Sequence, residues 1–144
     1  MSINGTTLIL FNAIAISLCS LSIVTAQELD NAVAEGKQEF MDSCFLCHGE
    51  NAKGDGPFST MLTIETADLT QLKKNNNGSF PYRDIYLTID GTDQIKQHGP
   101  RRMPIWGDRF KSSTWATVSQ DHADTLVRGK IFELMLYLES IQEK

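Results

Sequence analysis

The chain has 144 residues with 13 basic and 18 acidic side chains, for a formal net charge of −5 at pH 7. An excess of acidic groups argues against a nucleic-acid-binding protein, which needs a basic surface. Residues 27–144 carry all of this charge and suffice for one small domain.

The first 26 residues contain no charged side chain and include an apolar run, Leu8–Val24, followed by small residues up to Ala26. This pattern predicts a signal peptide over residues 1–26, cleaved after Ala26, and a mature domain over residues 27–144. The run approaches the length of a membrane span and no Lys or Arg precedes it, so an uncleaved membrane anchor stays open as the alternative. Cys19 lies inside this segment and is expected to be removed with it.

Two stretches have the spacing of amphipathic helices, one near each end of the mature domain. Residues 28–44 place apolar or small side chains at steps of three and four residues, and the same spacing recurs from Val127 to Ile141. Each is too short to be stable alone, so we expect the two helices to pack on each other, with Asp121 or Asp124 capping the second. Gly36 would permit close backbone approach, or it is merely a tolerated weak point.

The segment Cys44-Phe45-Leu46-Cys47-His48 follows the first helix and has the C-x-x-C-H pattern that attaches a c-type haem. On a helical turn the three functional side chains face one side, so two thiols reach the vinyl groups of a haem while the imidazole reaches its iron. A zinc site would need a second ligand pair, and a thioredoxin-like pair would need a preceding strand. Neither pattern is present in the sequence.

The middle of the chain is rich in turn-forming residues and shows no alternating strand pattern. Breaks are predicted at residues 49–57 and 75–78, and a short helix is predicted between Pro81 and Gly91. A domain with so much loop can still bury a core by wrapping an apolar haem, so we expect the chain without haem to be loose or unfolded.

Met103 is the leading candidate for the second axial ligand of the iron, in a segment where Pro104 stiffens the chain and Gly107 lets it turn. His98, His122, Met61 and an open iron site remain as alternatives. Met61, among apolar neighbours, fits a pocket wall better than a ligand. Two further methionines, Met41 and Met135, fall in the helices and are expected to pack there.

Taken together, these residues resemble the class I c-type cytochromes, in particular exported bacterial members with a single haem. The matching positions are Gly36, Phe40, the C-x-x-C-H segment, residues 54–57, 68–70, 103–104, 106–107 and 137–138. The resemblance implies an all-α cytochrome c fold, with crossing terminal helices and loops around one haem bound through Cys44 and Cys47. It also implies that His48 and Met103 ligate the iron and that the carbonyl of Pro57 accepts a hydrogen bond from the His48 imidazole.

The function expected on this basis is a periplasmic one-electron carrier, not an enzyme, in a respiratory chain. Its partners would be a quinol-oxidising complex or dehydrogenase as donor and a terminal oxidase or reductase as acceptor, with membrane association only if residues 1–26 are retained. Two alternatives stay open: a haem enzyme or gas-binding protein with an open iron, and a cytochrome subunit of a larger oxidoreductase complex. Six basic residues, Lys73, Lys74, Arg101, Arg102, Arg109 and Lys111, are candidates for a local docking patch.

Overall fold

A computed structural model describes residues 26–92, 103–114 and 118–143. The chain divides into two compact units, residues 1–32 and 33–144. Of the first unit, only residues 26–32 are described, and they are helical. Residues 1–25 of the predicted signal peptide therefore lie outside the described residues, as do His98, Arg101 and Arg102.

The described residues are helical throughout their regular structure and contain no strand, which confirms the all-α prediction. The α-helices are α1 (26–43), α2 (Phe45–His48), α3 (Leu72–Asn75), α4 (Tyr82–Asp90), α5 (Trp106–Thr114) and α6 (Gln120–Ser140), with 3-10 turns at Ser59–Met61 and Leu69–Gln71. Within this part of the chain, no helix combines the length and apolar character needed to cross a membrane.

Helices α1 and α6 make backbone contact where Gly36 meets residues 133–134. A Cβ atom added to Gly36 would lie 2.0 Å from the carbonyl oxygen of Glu133. Next to this point, the rings of Phe40 and Tyr137 lie 5.4 Å apart, and Lys130 Nζ donates to Glu39 at 2.6 Å. The predicted close approach is confirmed, and Gly36 is required for it because any side chain would displace one helix.

Helix α4 has the predicted bounds, because the residues at its ends are strong local signals. Pro81 precedes the first turn, and Gly91 ends the helix with φ of 87°, a left-handed conformation that glycine adopts without strain. Helices α4, α5 and α6 pack against one another. Ile89, Phe110 and Val127 are buried there, in one core with Phe40, Ile131 and Leu134.

Helix α5 was not predicted, and the expectation that Gly107 forms a turn is wrong. Gly107 is the second residue of this helix, and a Cβ atom there would lie 2.6 Å from the backbone oxygen of Asp90. Its role is close packing of α5 on the end of α4. The helix continues through Ser112 and Ser113, whose hydroxyls donate back to carbonyls three residues earlier.

The start of α6 also differs from the prediction. The capping position is Ser119, in extended conformation, and not Asp121 or Asp124. Asp121 lies in the first turn, where its charge favours the helix N-terminus, and Asp124 pairs with Lys111 of α5 at 3.0 Å. Met135 is buried in the core and Met41 packs against it, as expected for both methionines.

Candidate functional site

The C-x-x-C-H segment forms a tight helical turn at the end of α1. The amides of Cys47 and His48 both donate to the carbonyl of Cys44, at 3.1 and 2.9 Å. The turn places Cys44, Cys47 and His48 along one side, as their spacing predicted, and all three side chains line the same cavity.

The loop after α2 covers the carbonyl groups that the short helix leaves unpaired. The amides of Gly54, Gly56 and Phe58 donate to the carbonyls of His48, Cys47 and Leu46, at 2.8, 3.1 and 2.8 Å. A helix end requires such partners when water is excluded. The loop therefore fixes the backbone of the motif without using its side chains.

The imidazole of His48 is held by a backbone carbonyl from a distant part of the chain. Its Nδ1 lies 3.0 Å from the carbonyl oxygen of Ala67. A carbonyl only accepts, so Nδ1 carries the proton and Nε2 keeps a free lone pair for a metal. Burial lowers the pKa of His48, an effect that the bond to Ala67 partly opposes.

The acceptor for His48 is thus Ala67, and the role assigned to Pro57 is wrong in this structure. The segment containing Pro57 is bonded to the backbone of Leu46 and Cys47 through its neighbours Gly56 and Phe58, and Pro57 itself is exposed. The segment that contacts the imidazole comes later in the chain, around Ala67. It is held next to the loop after α2 by the Leu69 amide, which donates to the Ala52 carbonyl at 2.8 Å.

Cys44 is almost fully buried, whereas Cys47 is half-buried. Burial, followed by the nearby charge of Glu39, raises the pKa of the Cys44 thiol to about 12 as long as this thiol is free. Both sulfurs are free of disulfides. Among the described residues, no three or more His, Cys, Asp or Glu side chains are placed to hold a metal ion.

The cavity beside this turn has a volume of about 230 Å³ and a predominantly apolar wall. It is lined by Ser43, Cys44, Cys47, His48, Leu62, Ile64, Glu65, Thr66, Ala67, Met103, Pro104 and Trp106. Met103 and Trp106 are half-buried and pack against the core. Two elements far apart in sequence, the C-x-x-C-H turn and the start of α5, therefore meet at one cavity.

The wall of this cavity fits a haem in two respects. Its apolar side chains suit a flat, apolar macrocycle, and the sulfur atoms of Cys44 and Cys47 and the imidazole of His48 belong to residues of the same wall. The hydroxyl oxygen of Thr66 is buried without a hydrogen-bond partner, which costs about 1–3 kcal/mol.

The other candidate ligands lie elsewhere. Met61 is 67% exposed and does not line the cavity, so its predicted place in a pocket wall is wrong. The reason is the 3-10 turn Ser59–Met61, which directs this stretch to the surface while Leu62 and Ile64 reach the cavity. His122 is exposed on α6 beside Ser119. His98 lies outside the described residues.

Comparison with known proteins agrees with this site. A family model described as cytochrome c matches residues 33–118, and the chain belongs to this family. One relative is the Cbb3-type cytochrome c oxidase subunit FixP of Rhizobium meliloti (strain 1021), 31% identical over 86 residues. The match covers 54% of this chain and 29% of FixP, so the chain spans less than a third of that relative. No solved structure matches the chain.

Membership of this family establishes the cofactor and the general activity. The protein has the all-α cytochrome c fold, carries haem c bound covalently through Cys44 and Cys47, and takes part in haem-based electron transfer. FixP is itself named as a subunit of an oxidase.

Proposed function

We propose that the protein is an exported one-electron carrier in which His48 and Met103 ligate the haem iron. The observation that carries the proposal is the cavity that Met103 shares with Cys44, Cys47 and His48. Of the candidate second ligands within the described part of the chain, Met103 is the one that lines it.

The two cysteines, His48 and Met103 have different roles toward the haem. The thiols of Cys44 and Cys47 anchor the cofactor, and the bond from His48 Nδ1 to Ala67 orients the ring and raises the basicity of Nε2. Haem c supplies an iron that gains and loses one electron. The thioether of Met103 is a soft donor that favours the ferrous state and raises the reduction potential relative to a second imidazole.

Occupation of both axial positions would leave substrates no place to bind, as electron transfer alone requires. Trp106 and Pro104 lie beside Met103 on the wall. As partners we propose a quinol-oxidising complex or dehydrogenase as donor and a terminal oxidase or reductase as acceptor. Export to the periplasm, through residues 1–26, forms part of the proposal, with a retained membrane anchor as its alternative.

Binding of carbon monoxide tests whether protein side chains occupy both ligand positions of the iron. The ferrous wild-type protein should bind little carbon monoxide at neutral pH, and Met103→Ala should bind it readily because one axial position is opened. Met61→Ala is the matched control, since Met61 is exposed and outside the cavity wall. Ready binding by the wild-type protein would overturn the carrier proposal in favour of a gas-binding protein or haem enzyme.

The similarity to FixP favours a second candidate, a cytochrome subunit of a larger oxidoreductase. Purification from the native membrane under mild conditions distinguishes the two. A freely diffusing carrier should separate from membrane complexes and still exchange electrons. Stable copurification with an oxidase, together with slow exchange by the free domain, would support the subunit instead.

A further inference from the structure

The acceptor of the His48 hydrogen bond lies on a segment without regular structure, residues 65–68. The residues directly after Ala67 are held in place by two sets of hydrogen bonds. The Leu69 amide donates to the Ala52 carbonyl at 2.8 Å, and the Asp68 carboxylate accepts from the amide and hydroxyl of Thr70 at 2.8 and 2.6 Å. Neither contact ties the segment to the long helices.

Gln142 and Glu143, which follow α6, connect this segment to that helix. The side-chain nitrogen of Gln142 donates to the carbonyls of Leu69 and Leu138, both at 2.7 Å, and its side-chain oxygen accepts from the Lys73 amide at 2.8 Å. Both hydrogens of the amide group and its oxygen are therefore used. One side chain thus joins the end of α6, the 3-10 turn after Ala67 and the start of α3.

Glu143 extends the same arrangement. Its amide donates to the carbonyl of Thr70 at 2.9 Å, and its carboxylate accepts from Lys53 at 2.8 Å and from Gln71 at 2.5 Å. Lys53 lies in the loop between Ala52, which holds Leu69, and Gly54, which caps His48. The C-terminus consequently contacts the segments on both sides of the His48–Ala67 bond.

We propose that Gln142 is a positioning residue for His48: it fixes the backbone that carries the Ala67 carbonyl and thereby sets the strength of the His48 Nδ1 hydrogen bond. This inference rests on the proposed role of His48 as an iron ligand. Gln142 does not line the cavity, so it acts through the backbone alone.

The direction in which the reduction potential should shift follows from the hydrogen bond of His48. A short bond from Nδ1 to a carbonyl increases the basicity of Nε2 and favours the ferric state. Loosening the Leu69 carbonyl should lengthen the bond, weaken this donation and raise the reduction potential. We expect a two- to tenfold shift of the ferric–ferrous equilibrium toward the ferrous state, where tenfold corresponds to about 59 mV for one electron.

Gln142→Met tests the proposal, because methionine keeps the length of the side chain, removes all three hydrogen bonds and changes no charge. Ser140→Ala is the matched control at the same helix end, where the hydroxyl bonds only to the Tyr137 carbonyl of α6. The measurements on the haem-loaded protein are the reduction potential and the exchange rate of the His48 Nδ1 proton in the ferrous state. Gln142→Met should raise both, and Ser140→Ala should change neither.

If Gln142→Met does not fold, Gln71→Met gives the same test in milder form. Gln71 is half-buried and donates to the Glu143 carboxylate and to the Thr70 hydroxyl, and its replacement is also neutral in charge. It should shift both quantities in the same direction by a smaller amount. An unchanged potential and unchanged exchange in a protein with His/Met ligation would overturn this inference alone. A wild-type spectrum without histidine ligation would overturn the proposed ligand set and this inference together.

Discussion

The contact between α1 and α6 gives a prediction whose size follows from the structure. In Gly36→Ala, the new Cβ would lie 2.0 and 2.5 Å from the carbonyl oxygen and carbon of Glu133, where ordinary contacts are about 3.5–4.0 Å. These are backbone atoms, so no rotamer change relieves the overlap and one helix must move. Overpacking of this kind costs about 1–3 kcal/mol, and the gain in helix propensity returns about 1 kcal/mol.

Because an overlap at 2.0 Å with backbone atoms places the cost at the upper end of that range, the net expectation is a loss of about 2 kcal/mol in the free energy of unfolding, which lowers Tm by several degrees for a domain of this size. Urea and thermal unfolding of the haem-loaded protein measure it. Gly129→Ala is the matched control in the same helix pair, because nothing lies within 4 Å of that position. The control should gain up to about 1 kcal/mol from helix propensity alone. A Gly36→Ala variant as stable as the wild type would refute the close backbone approach.

Three further predictions concern other parts of the domain. Gly107→Ala should lower the free energy of unfolding in urea by about 1–3 kcal/mol, because its Cβ would lie 2.6 Å from the Asp90 carbonyl oxygen. The control, Ser112→Ala at an exposed position of the same helix, should be nearly neutral. Equal urea midpoints for the two variants would contradict this contact. The hydrogen bond that Tyr82 donates to the Glu139 carboxylate raises the pKa of Tyr82 from 10.0 to about 12. The bond therefore stabilises the folded state fully below pH 10, and this stabilisation is lost as the pH rises to about 12. The urea midpoint should therefore fall over this range, and it should fall less in Tyr82→Phe; an identical decline in both proteins would exclude a role for this bond. Protein produced without haem attachment should show weak, non-cooperative melting by circular dichroism, and a cooperatively folded apo form would disprove the need for the cofactor.

Elements with strong local signals were predictable from the sequence. Helix α4 lies between a proline and a glycine whose backbone preferences fix its ends. Gly36 and the residues spaced three or four apart around it gave the crossing of α1 and α6. The C-x-x-C-H turn likewise depends only on neighbours in sequence, and the three side chains it presents were assigned correctly to one cavity.

Features that depend on tertiary contacts were not predictable. Helix α5 contains a glycine and two serines, which are weak helix formers, and it is stabilised by the burial of Phe110 against the core. Met61 has the same apolar neighbours as Ile64 but lies on the surface, because the local 3-10 turn decides its direction. The Ala67 carbonyl gives no signal in sequence at all, since every residue has one.

The optical spectrum of the oxidised, haem-loaded protein tests the central claim most directly. Ligation by His48 and Met103 predicts the weak far-red band of a sulfur-to-iron transition, present in the wild type and absent in Met103→Ala. Absence of the band in the wild-type protein, or its persistence in the variant, would contradict the proposed ligand set and with it the carrier function drawn from this cavity.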